Sequence, residues 1–211
     1  MAKIDEIAAA ISAGKAKDTP ALVEAALAEG LNPLVILNDA MIATMDAVGQ
    51  KFKDGEIFVP EMLIAARAMK KGVEVLKPRL SGDGVTGLGK CVIGTVAGDM
   101  HDIGKNLVAM MIESAGFEII DLGVDVQPAV FIDAVKSNSD VKIVALSALL
   151  TTTMPAMKDT ITAIKAANIA GGFKLIVGGA PVSQEFADQI GADGYSPDAA
   201  SAAVLAKKLG M

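Results

Sequence analysis

The 211-residue chain has one cysteine, one histidine and no tryptophan, and aromatic residues make up only 3% of it. A lone cysteine, Cys91, cannot form a disulfide within the chain, which favours a reducing compartment such as the cytoplasm. Scarce aromatics argue against base stacking on single-stranded nucleic acid. The net charge of −6 argues against binding to a phosphate backbone. No nucleic-acid partner is therefore expected.

Long apolar runs are also missing from the chain. No stretch approaches the roughly 20 apolar residues that a membrane span requires. The charged N-terminal segment lacks the apolar core of a signal peptide. These patterns predict a cytoplasmic protein with no membrane partner. Hydrophobic residues nevertheless make up 52% of the chain, mostly Ala, Val, Ile, Leu and Met, so a substantial core is expected.

Helical spacing of apolar residues dominates the first eighty positions and predicts a bundle of four helices. A second helix follows Asp18, which is placed as its N-cap, and a third begins at Asn32 and Pro33. After a turn at Asp54 and Gly55, a fourth helix is expected from about residue 60 to residue 77. The methionines of this region are interpreted as core residues.

The composition changes abruptly in the glycine-rich stretch RLSGDGVTGLGK, residues 79–90. This stretch predicts a linker between a helical domain, residues 1–82, and a second domain, residues 90–211. In the second domain, apolar strands alternate with helices, which is typical of a parallel sheet covered on both faces. Strands are expected at 91–96, 117–122, 141–147, 173–177 and 194–195, and helices at 105–114, 128–137, 154–167, 182–190 and 198–209.

The segment GTVAGDMHDIGKNLV follows the first predicted strand and contains His101, with Asp99 and Asp102 beside it. Its glycine spacing matches neither the dinucleotide fingerprint nor the Walker loop, and two aspartates would repel a polyphosphate. Asp99 is within reach of one imidazole nitrogen, and metal-bound histidines usually have such a carboxylate partner. A zinc site needs more His or Cys ligands than are available, so a metal here must bring most of its own ligands, as a macrocycle does. The simpler alternative is a capping or solvent-facing histidine.

Two further polar motifs follow later strands. SALLTTTM, residues 147–154, contains four hydroxyls, of which one is expected to cap the next helix and the others are candidates for ligand contacts. Gly178 and Gly179 follow the fourth strand, where they form either a simple turn or a place where a bulky ligand approaches the backbone. All three motifs thus fall at the carboxyl ends of strands, where open parallel sheets bind ligands.

Together these motifs resemble the cobalamin-binding module of corrinoid-dependent methyltransferases, whose pattern is D-x-H-x-x-G, then S-x-L, then G-G. In this sequence they occupy residues 99–104, 147–149 and 178–179. The stretch DGEIFVPEMLIAARAMKKG resembles the helical cap that precedes this module in methionine synthase. The whole chain is most similar to free-standing corrinoid proteins of anaerobic methyltransferase systems. The resemblance implies an N-terminal four-helix bundle cap followed by a flavodoxin- or Rossmann-like α/β domain with a doubly wound parallel sheet.

The resemblance also implies a cofactor and roles for individual residues. The cofactor would be cobalamin, alternating between methylcob(III)alamin and cob(I)alamin, with His101 as the lower axial cobalt ligand in the base-off/His-on form. Asp99 would hydrogen-bond to the imidazole, and Thr153, a serine in methionine synthase, would extend this relay. Residues 191–199 would close over the end of the nucleotide tail, and Phe58 and Met62 would lie above the reactive face. Further implied cofactor contacts are Gly98, Met100, Asp102, Ile103, Gly104, Ser147, Leu149, Thr151, Gly178, Gly179 and Tyr195.

The implied function is that of a methyl carrier in one-carbon metabolism, a subunit without turnover of its own. It would accept methyl from methanol, a methylamine, a betaine or a methoxylated aromatic through a substrate-specific methyltransferase. A second methyltransferase would pass the group to tetrahydrofolate or coenzyme M, and a reductive activase is a further expected partner. The alternatives are a cobalamin-dependent sensor, whose basic effector helix is missing, and an adenosylcobalamin mutase small subunit, which lacks a helical cap. A flavodoxin-like protein without a corrinoid is the last alternative.

Overall fold

The computed structural model describes residues 2–80, 88–138 and 140–211. The chain divides into two compact units, residues 1–86 and residues 87–211, called here the helical unit and the α/β unit. The predicted glycine-rich linker falls largely on residues 81–87, outside the described ranges. Within these ranges, no helix has the length and apolar character needed to cross a membrane.

The helical unit is built from helices α1 (Ala2–Ser12), α2 (Thr19–Ala28), α3 (Pro33–Val35), α4 (Ala43–Lys53) and α5 (Val59–Leu80). A π-helical segment, Ile36–Ile42, joins α3 to α4 without a break, so the described residues form the four consecutive helical rods that the apolar spacing predicts. The fully buried side chains include Ile7, Ile11, Ile36, Met41, Met62 and Leu76, which confirms methionine as a core residue here.

The helix starts of this unit show one correct and one wrong prediction. Asn32 caps α3, because its Oδ1 accepts a hydrogen bond of 2.8 Å from the Leu34 amide. Asp18 occupies the N-cap position of α2 but its side chain makes no capping bond. The backbone of Asp18 is already helical (φ −88°, ψ −32°), whereas a capping side chain needs an extended backbone. The hydroxyl of Thr19 donates instead to the Lys15 carbonyl, at 2.9 Å.

The α/β unit alternates strands and helices as expected, and its five described strands form one sheet in the order β2-β1-β3-β4-β5 with every pair parallel. This order is that of the flavodoxin-like doubly wound fold. The predicted fold class is therefore confirmed. The elements are β1 (Lys90–Thr95), α6 (Ile103–Ser114), β2 (Glu118–Asp121), α7 (Pro128–Lys136), β3 (Val141–Ser147), a 3-10 turn (Thr151–Thr153), α8 (Met154–Ala166), β4 (Lys174–Gly178), α9 (Gln184–Ile190), β5 (Gly194–Tyr195) and α10 (Ala199–Gly210).

The central strands of the sheet are buried, which explains their continuous apolar runs. Cys91 on β1 is fully buried, and burial raises the pKa of its thiol, so the thiol is unreactive as expected. The register places Thr95 of β1 beside Ser147 of β3, and Ser147 beside Gly178 of β4. The carboxyl ends of these three strands therefore lie side by side.

Candidate functional site

The three sequence motifs meet at the carboxyl edge of the sheet. The histidine loop, residues 96–102, connects β1 to α6, and residues 148–150 connect β3 to the 3-10 turn. From β1 the chain adds β2 on one side of the sheet and then β3 on the other, so the order in which strands are added reverses between β1 and β3. Open α/β sheets bind their ligands in the crevice at this switch point. The topology thus places the only histidine where a ligand is expected.

Asp99 makes the hydrogen bonds that connect the residues of the site. Its side chain is fully buried, and both of its carboxylate oxygens accept hydrogen bonds. Oδ1 accepts from the His101 amide at 3.1 Å and lies 2.7 Å from the His101 Nδ1 atom. Oδ2 accepts from the Leu149 amide at 2.8 Å and from the Thr153 hydroxyl at 2.7 Å. A single carboxylate therefore ties the loop after β1 to the loop after β3.

These contacts decide the ionisation of Asp99. Burial by itself raises the pKa of the carboxyl group, but the hydrogen bonds from Leu149, Thr153 and His101 outweigh burial and hold its pKa well below the usual range. Asp99 is therefore a carboxylate, which can only accept hydrogen bonds.

The ionised carboxylate fixes the tautomer of His101. Because Asp99 can only accept, the His101 Nδ1 atom must carry the shared proton, and the lone pair of the neutral ring lies on Nε2. Among the described residues, Nε2 has no hydrogen-bond partner, and about half of the His101 side chain is exposed. The site therefore presents one oriented nitrogen lone pair to a ligand, as metal-binding histidines with a carboxylate partner do.

Thr153 does not cap α8, and it contacts Asp99 as the resemblance implies. It stands at the N-cap position of α8, but its side chain makes no capping bond and its backbone (φ −103°, ψ −5°) is not extended. Its hydroxyl, which is buried, faces the Asp99 carboxylate instead. A hydroxyl can donate to a carboxylate and still accept from an amide, so the backbone conformation of Thr153, and not its bond to Asp99, explains the missing cap. The prediction that one of the four hydroxyls caps this helix is therefore wrong for Thr153.

The surroundings of His101 are unusually apolar for an exposed loop. Met100 and Ile103 are 68% and 85% exposed, and Leu149 and Leu150 are more than 40% exposed. A methyl group added at Gly104 would meet no atom within 4 Å, so the packing of the protein itself does not require a glycine there. Exposed apolar side chains around one free nitrogen indicate a ligand with a broad apolar face.

Comparison with known proteins agrees with this geometry. A family model described as "B12 binding domain" matches residues 89–204, more than half of the chain, and a second model with the same description matches residues 3–77. A corrinoid protein of Desulfitobacterium hafniense is 38% identical, over 99% of this chain and 98% of its own length. Dimethylamine corrinoid protein 1 of Methanosarcina acetivorans is 41% identical, over 98% of this chain and 96% of its own length.

A solved structure supports the same assignment. The methanol:cobalamin methyltransferase complex of Methanosarcina barkeri matches with a TM-score of 0.85 and 32% identity, over 99% of this chain and 79% of that one. This chain belongs to the B12-binding corrinoid proteins. It binds cobalamin, as the resemblance in its sequence implies.

The residues of this corrinoid protein fit that cofactor. No group of three or more His, Cys, Asp or Glu side chains in the described part of the chain could hold a bare metal ion. A corrin would bring most of the ligands of its cobalt, so a single imidazole nitrogen from the protein would be enough to hold the metal. The exposed apolar residues next to His101 suit the broad face of such a ring, and the open space at Gly104 leaves room for it.

The glycines after β4 have a reason within the protein itself. Gly179 has φ +129°, and an added Cβ would lie 1.8 Å from the Ala148 carbonyl oxygen. At Gly178 the nearest atom would be the Ser196 carbonyl oxygen, at 3.2 Å. Close approach of the β3 and β4 loops therefore requires Gly179 whether or not a ligand is bound.

The other residues predicted to contact the cofactor lie at several places in the structure and not in one cluster. Ser147 and Tyr195 are half-buried at the ends of β3 and β5, while Thr151 and Asp102 are exposed on the loops of the site. Asp102 accepts a hydrogen bond of 3.1 Å from the Asn106 amide group at the start of α6. The residues predicted to lie above the reactive face, Phe58 and Met62, belong to the helical unit. Phe58 is exposed and Met62 is fully buried, so only Phe58 presents a surface.

Sequence reasoning overlooked two residues that contact the histidine loop, Thr95 and Asp125, and a third, Lys105, that anchors the helix after it. The fully buried Thr95 donates a hydrogen bond of 2.9 Å to the His101 carbonyl. The ammonium group of Lys105, also buried, lies 2.6 Å from both carboxylate oxygens of Asp121 and thereby joins the first turn of α6 to the end of β2. Asp125 contacts the loop from the β2–α7 side. The signal for Thr95 was available, since it is the one hydroxyl in the apolar run CVIGTV.

Proposed function

We propose that this corrinoid protein carries methyl groups between two methyltransferases and holds cobalamin with His101 as the lower axial ligand, base-off and His-on. The observation that carries the proposal is the Asp99–His101 pair. The 2.7 Å contact between Asp99 and the His101 Nδ1 atom leaves Nε2 with a free, oriented lone pair at the switch point of the sheet. The apolar residues beside it support contact with a corrin ring.

Within this proposal, residues 1–82 are the cap domain and residues 90–211 the cobalamin-binding domain. The histidine loop and the start of α6 contact the corrin through Gly98, Met100, Asp102, Ile103 and Gly104. The nucleotide tail is accommodated near the carboxyl ends of β3, β4 and β5, by Ser147, Leu149, Thr151, Gly178, Gly179 and Tyr195. The alignment of Ser147 with Gly178, and of Val177 with Tyr195, supports a continuous tail site along this edge.

The chain's own groups supply orientation and proton control. When bound, cobalamin supplies a cobalt centre that accepts and gives up a methyl group. Asp99 accepts the Nδ1 proton of His101 and keeps Nε2 directed outward, while the Thr153 hydroxyl keeps Asp99 in place. The Asp99 carboxylate would also stabilise positive charge on the ring.

The partners in this proposal are a substrate-specific methyltransferase, a second methyltransferase that uses tetrahydrofolate or coenzyme M, and a reductive activase. The relatives support a small methylated donor, since their names include dimethylamine corrinoid protein and trimethylamine corrinoid protein. The solved complex from Methanosarcina barkeri is named for methanol. Methylamines and methanol are therefore the first donors to test.

Cofactor binding is tested with hydroxocobalamin. The purified protein is mixed with the cofactor, desalted and examined by visible spectroscopy. We expect retained cofactor with a histidine-ligated spectrum in the wild type. The His101→Ala variant should lose that spectrum while its circular dichroism stays unchanged. Thr162→Val, an exposed change on α8 whose hydroxyl bonds only its own helix, is the matched control and should behave like the wild type. A colourless wild type, or an unchanged spectrum in His101→Ala, would contradict the proposal.

Methyl transfer is tested with the methylated holoprotein. The isolated protein should keep its methyl group, because the proposed carrier has no turnover of its own. Addition of a methyltransferase with tetrahydrofolate or coenzyme M should demethylate it, with the spectrum changing in step with product formation. Loss of the group at the same rate without any methyltransferase would contradict the carrier role.

A further inference from the structure

The loop between β2 and α7 is fastened to the histidine loop around a single residue, Asp125. The Asp125 amide donates a hydrogen bond of 2.9 Å to the Asp99 carbonyl. In the other direction, the Asp125 carboxylate accepts one of 2.7 Å from the Gly98 amide. Next to this pair, Val96 and Val126 form an isolated parallel bridge. Asp125 therefore contacts the backbone on both sides of the Gly98–Asp99 peptide.

The backbone conformation of Asp125 would suit glycine better, which indicates that the aspartate side chain is needed for its hydrogen bond. Asp125 has φ +52°, a left-handed conformation that residues with a Cβ adopt at a cost and that glycine adopts freely. The side chain is exposed, so apolar packing does not explain the residue. Its one described hydrogen bond is to the amide of a residue 27 positions away. This acceptor is what an aspartate provides at this position and a glycine does not.

The Gly98–Asp99 peptide directly precedes the group that orients the imidazole. Gly98 itself has φ +80°, which glycine adopts freely, so its own φ does not fix this flexible position and the contacts of the segment do. At the other end of the loop, the Thr95 hydroxyl holds the His101 carbonyl. The two ends of the segment are thus fixed separately, one by the strand that precedes it and one by a neighbouring loop.

We propose that Asp125 is a positioning residue: its carboxylate fixes the Gly98–Asp99 peptide, so that Asp99 holds His101 in one orientation before the cofactor enters. The inference rests on the proposed function in that His101 is taken as the axial ligand. Asp125 acts through Asp99 and does not itself touch the reacting atoms. Pre-organised ligands bind more tightly because less ordering is left to the binding step.

The apo protein provides a test that does not involve cobalamin. His101 is the only histidine, so protein labelled with ¹⁵N-histidine shows one imidazole in its NMR spectrum, with no assignment needed. At alkaline pH, we expect the wild type to show the Nδ1-protonated tautomer almost alone. Asp125→Asn keeps an acceptor and should match it. Asp125→Gly and Asp125→Ala lack the acceptor and should shift toward the mixed tautomers of a free imidazole. An unchanged tautomer in both acceptor-free variants would overturn the inference.

The holoprotein gives the second measurement. Asp125→Gly and Asp125→Ala should bind hydroxocobalamin roughly tenfold more weakly and show a smaller histidine-ligated fraction, because changes to the groups that orient a metal ligand have effects of this order. Asp125→Asn should restore both. Agreement between the Gly and Ala variants separates loss of the acceptor from backbone flexibility, and circular dichroism checks that each is folded. Wild-type affinity and spectrum in both variants would contradict the inference.

The two proposals can fail separately. If the wild-type holoprotein shows no histidine-ligated spectrum, the proposed function is wrong, and the NMR comparison still decides whether Asp125 positions His101. If the wild type shows that spectrum but the NMR signals do not respond to Asp125, only the positioning role is wrong.

Discussion

The buried threonines of the helical unit and the buried aspartate at the carboxyl edge of the sheet find their hydrogen-bond partners in different ways. In the helical unit, the buried hydroxyls of Thr19 and Thr44 donate to the carbonyls of Lys15 and Ala40, four residues earlier on the same stretch of chain. In the α/β unit, the buried Asp99 is bonded to groups 50 and 54 residues away. Local partners need only a helix, whereas the Asp99 network needs the assembled sheet. The candidate site thus lies where hydrogen bonds connect loops that are distant in sequence.

Glycine shows the same contrast. An added Cβ at Gly72 of α5 would meet the Met41 Cε atom at 2.6 Å, the end of a flexible side chain that can move. At Gly179 it would lie 1.8 Å from a backbone carbonyl oxygen, in a loop that cannot move without shifting Ala148. Gly72 therefore tolerates a side chain that Gly179 does not.

The largest effect is expected for Gly179→Ala. Strain at a positive φ, together with a backbone clash, should destabilise the α/β unit by about 4 kcal/mol. Gly72→Ala should change the stability of the helical unit by less than about 1 kcal/mol, because helix propensity offsets a small displacement of Met41. The single tyrosine, Tyr195, reports unfolding of the α/β unit by fluorescence, and circular dichroism follows the helices. Equal losses in the two variants would contradict the contrast between the units.

A smaller difference in stability is expected between substitutions of two buried threonines, Thr153 and Thr44. Thr153→Val removes a hydrogen bond to a buried carboxylate and should destabilise the α/β unit by about 2 kcal/mol. Thr44→Val removes a bond within its own helix, at a cost of about 0.5 kcal/mol. Urea titrations of the apo proteins measure both. Thr153→Ser retains the hydroxyl and should recover most of the loss, and a Ser variant as unstable as the Val variant would argue that Thr153 acts by packing.

The smallest effect concerns pH. The folded-state pKa of Asp99 lies below that of the unfolded chain, about 3.9, so the stability it contributes is present above that pH and is lost as the pH falls toward the folded-state pKa. The stability advantage of the wild type over Asp99→Asn should therefore shrink below about pH 4, by at most about 1.4 kcal/mol per pH unit. The gap between the wild type and Thr44→Val should stay constant over the same range. A gap to Asp99→Asn that widens in acid would contradict the assigned ionisation.

Much of the fold follows from patterns in the sequence. The strands Val141–Ser147 and Gly194–Tyr195 lie where their residues predict them, and the order of helices and strands is as expected. The cap predicted at Asp18 is wrong, and so is the cap expected from one of the hydroxyls of SALLTTTM. The N-cap positions, Asp18 and Thr153, have the residue type of a cap without its extended backbone. The π-helical turns of Ile36–Ile42 were also not predicted, since their Ala43-to-Asn38 bond, spaced five residues apart, leaves the apolar spacing close to that of an α-helix.

The sequence by itself determined the fold class, because periodicity is a local property of the chain, and its three motifs carry the resemblance that implies cobalamin and the proposed ligand His101. Only the tertiary structure decided that Asp99 is ionised, that Nε2 is the free nitrogen of His101, and that Thr153 does not cap α8. It also revealed Thr95 and Asp125 as supports of the loop. The physical reason is that ionisation and orientation depend on which groups come within 3 Å of one another. That proximity exists only once β1, β2 and β3 lie side by side.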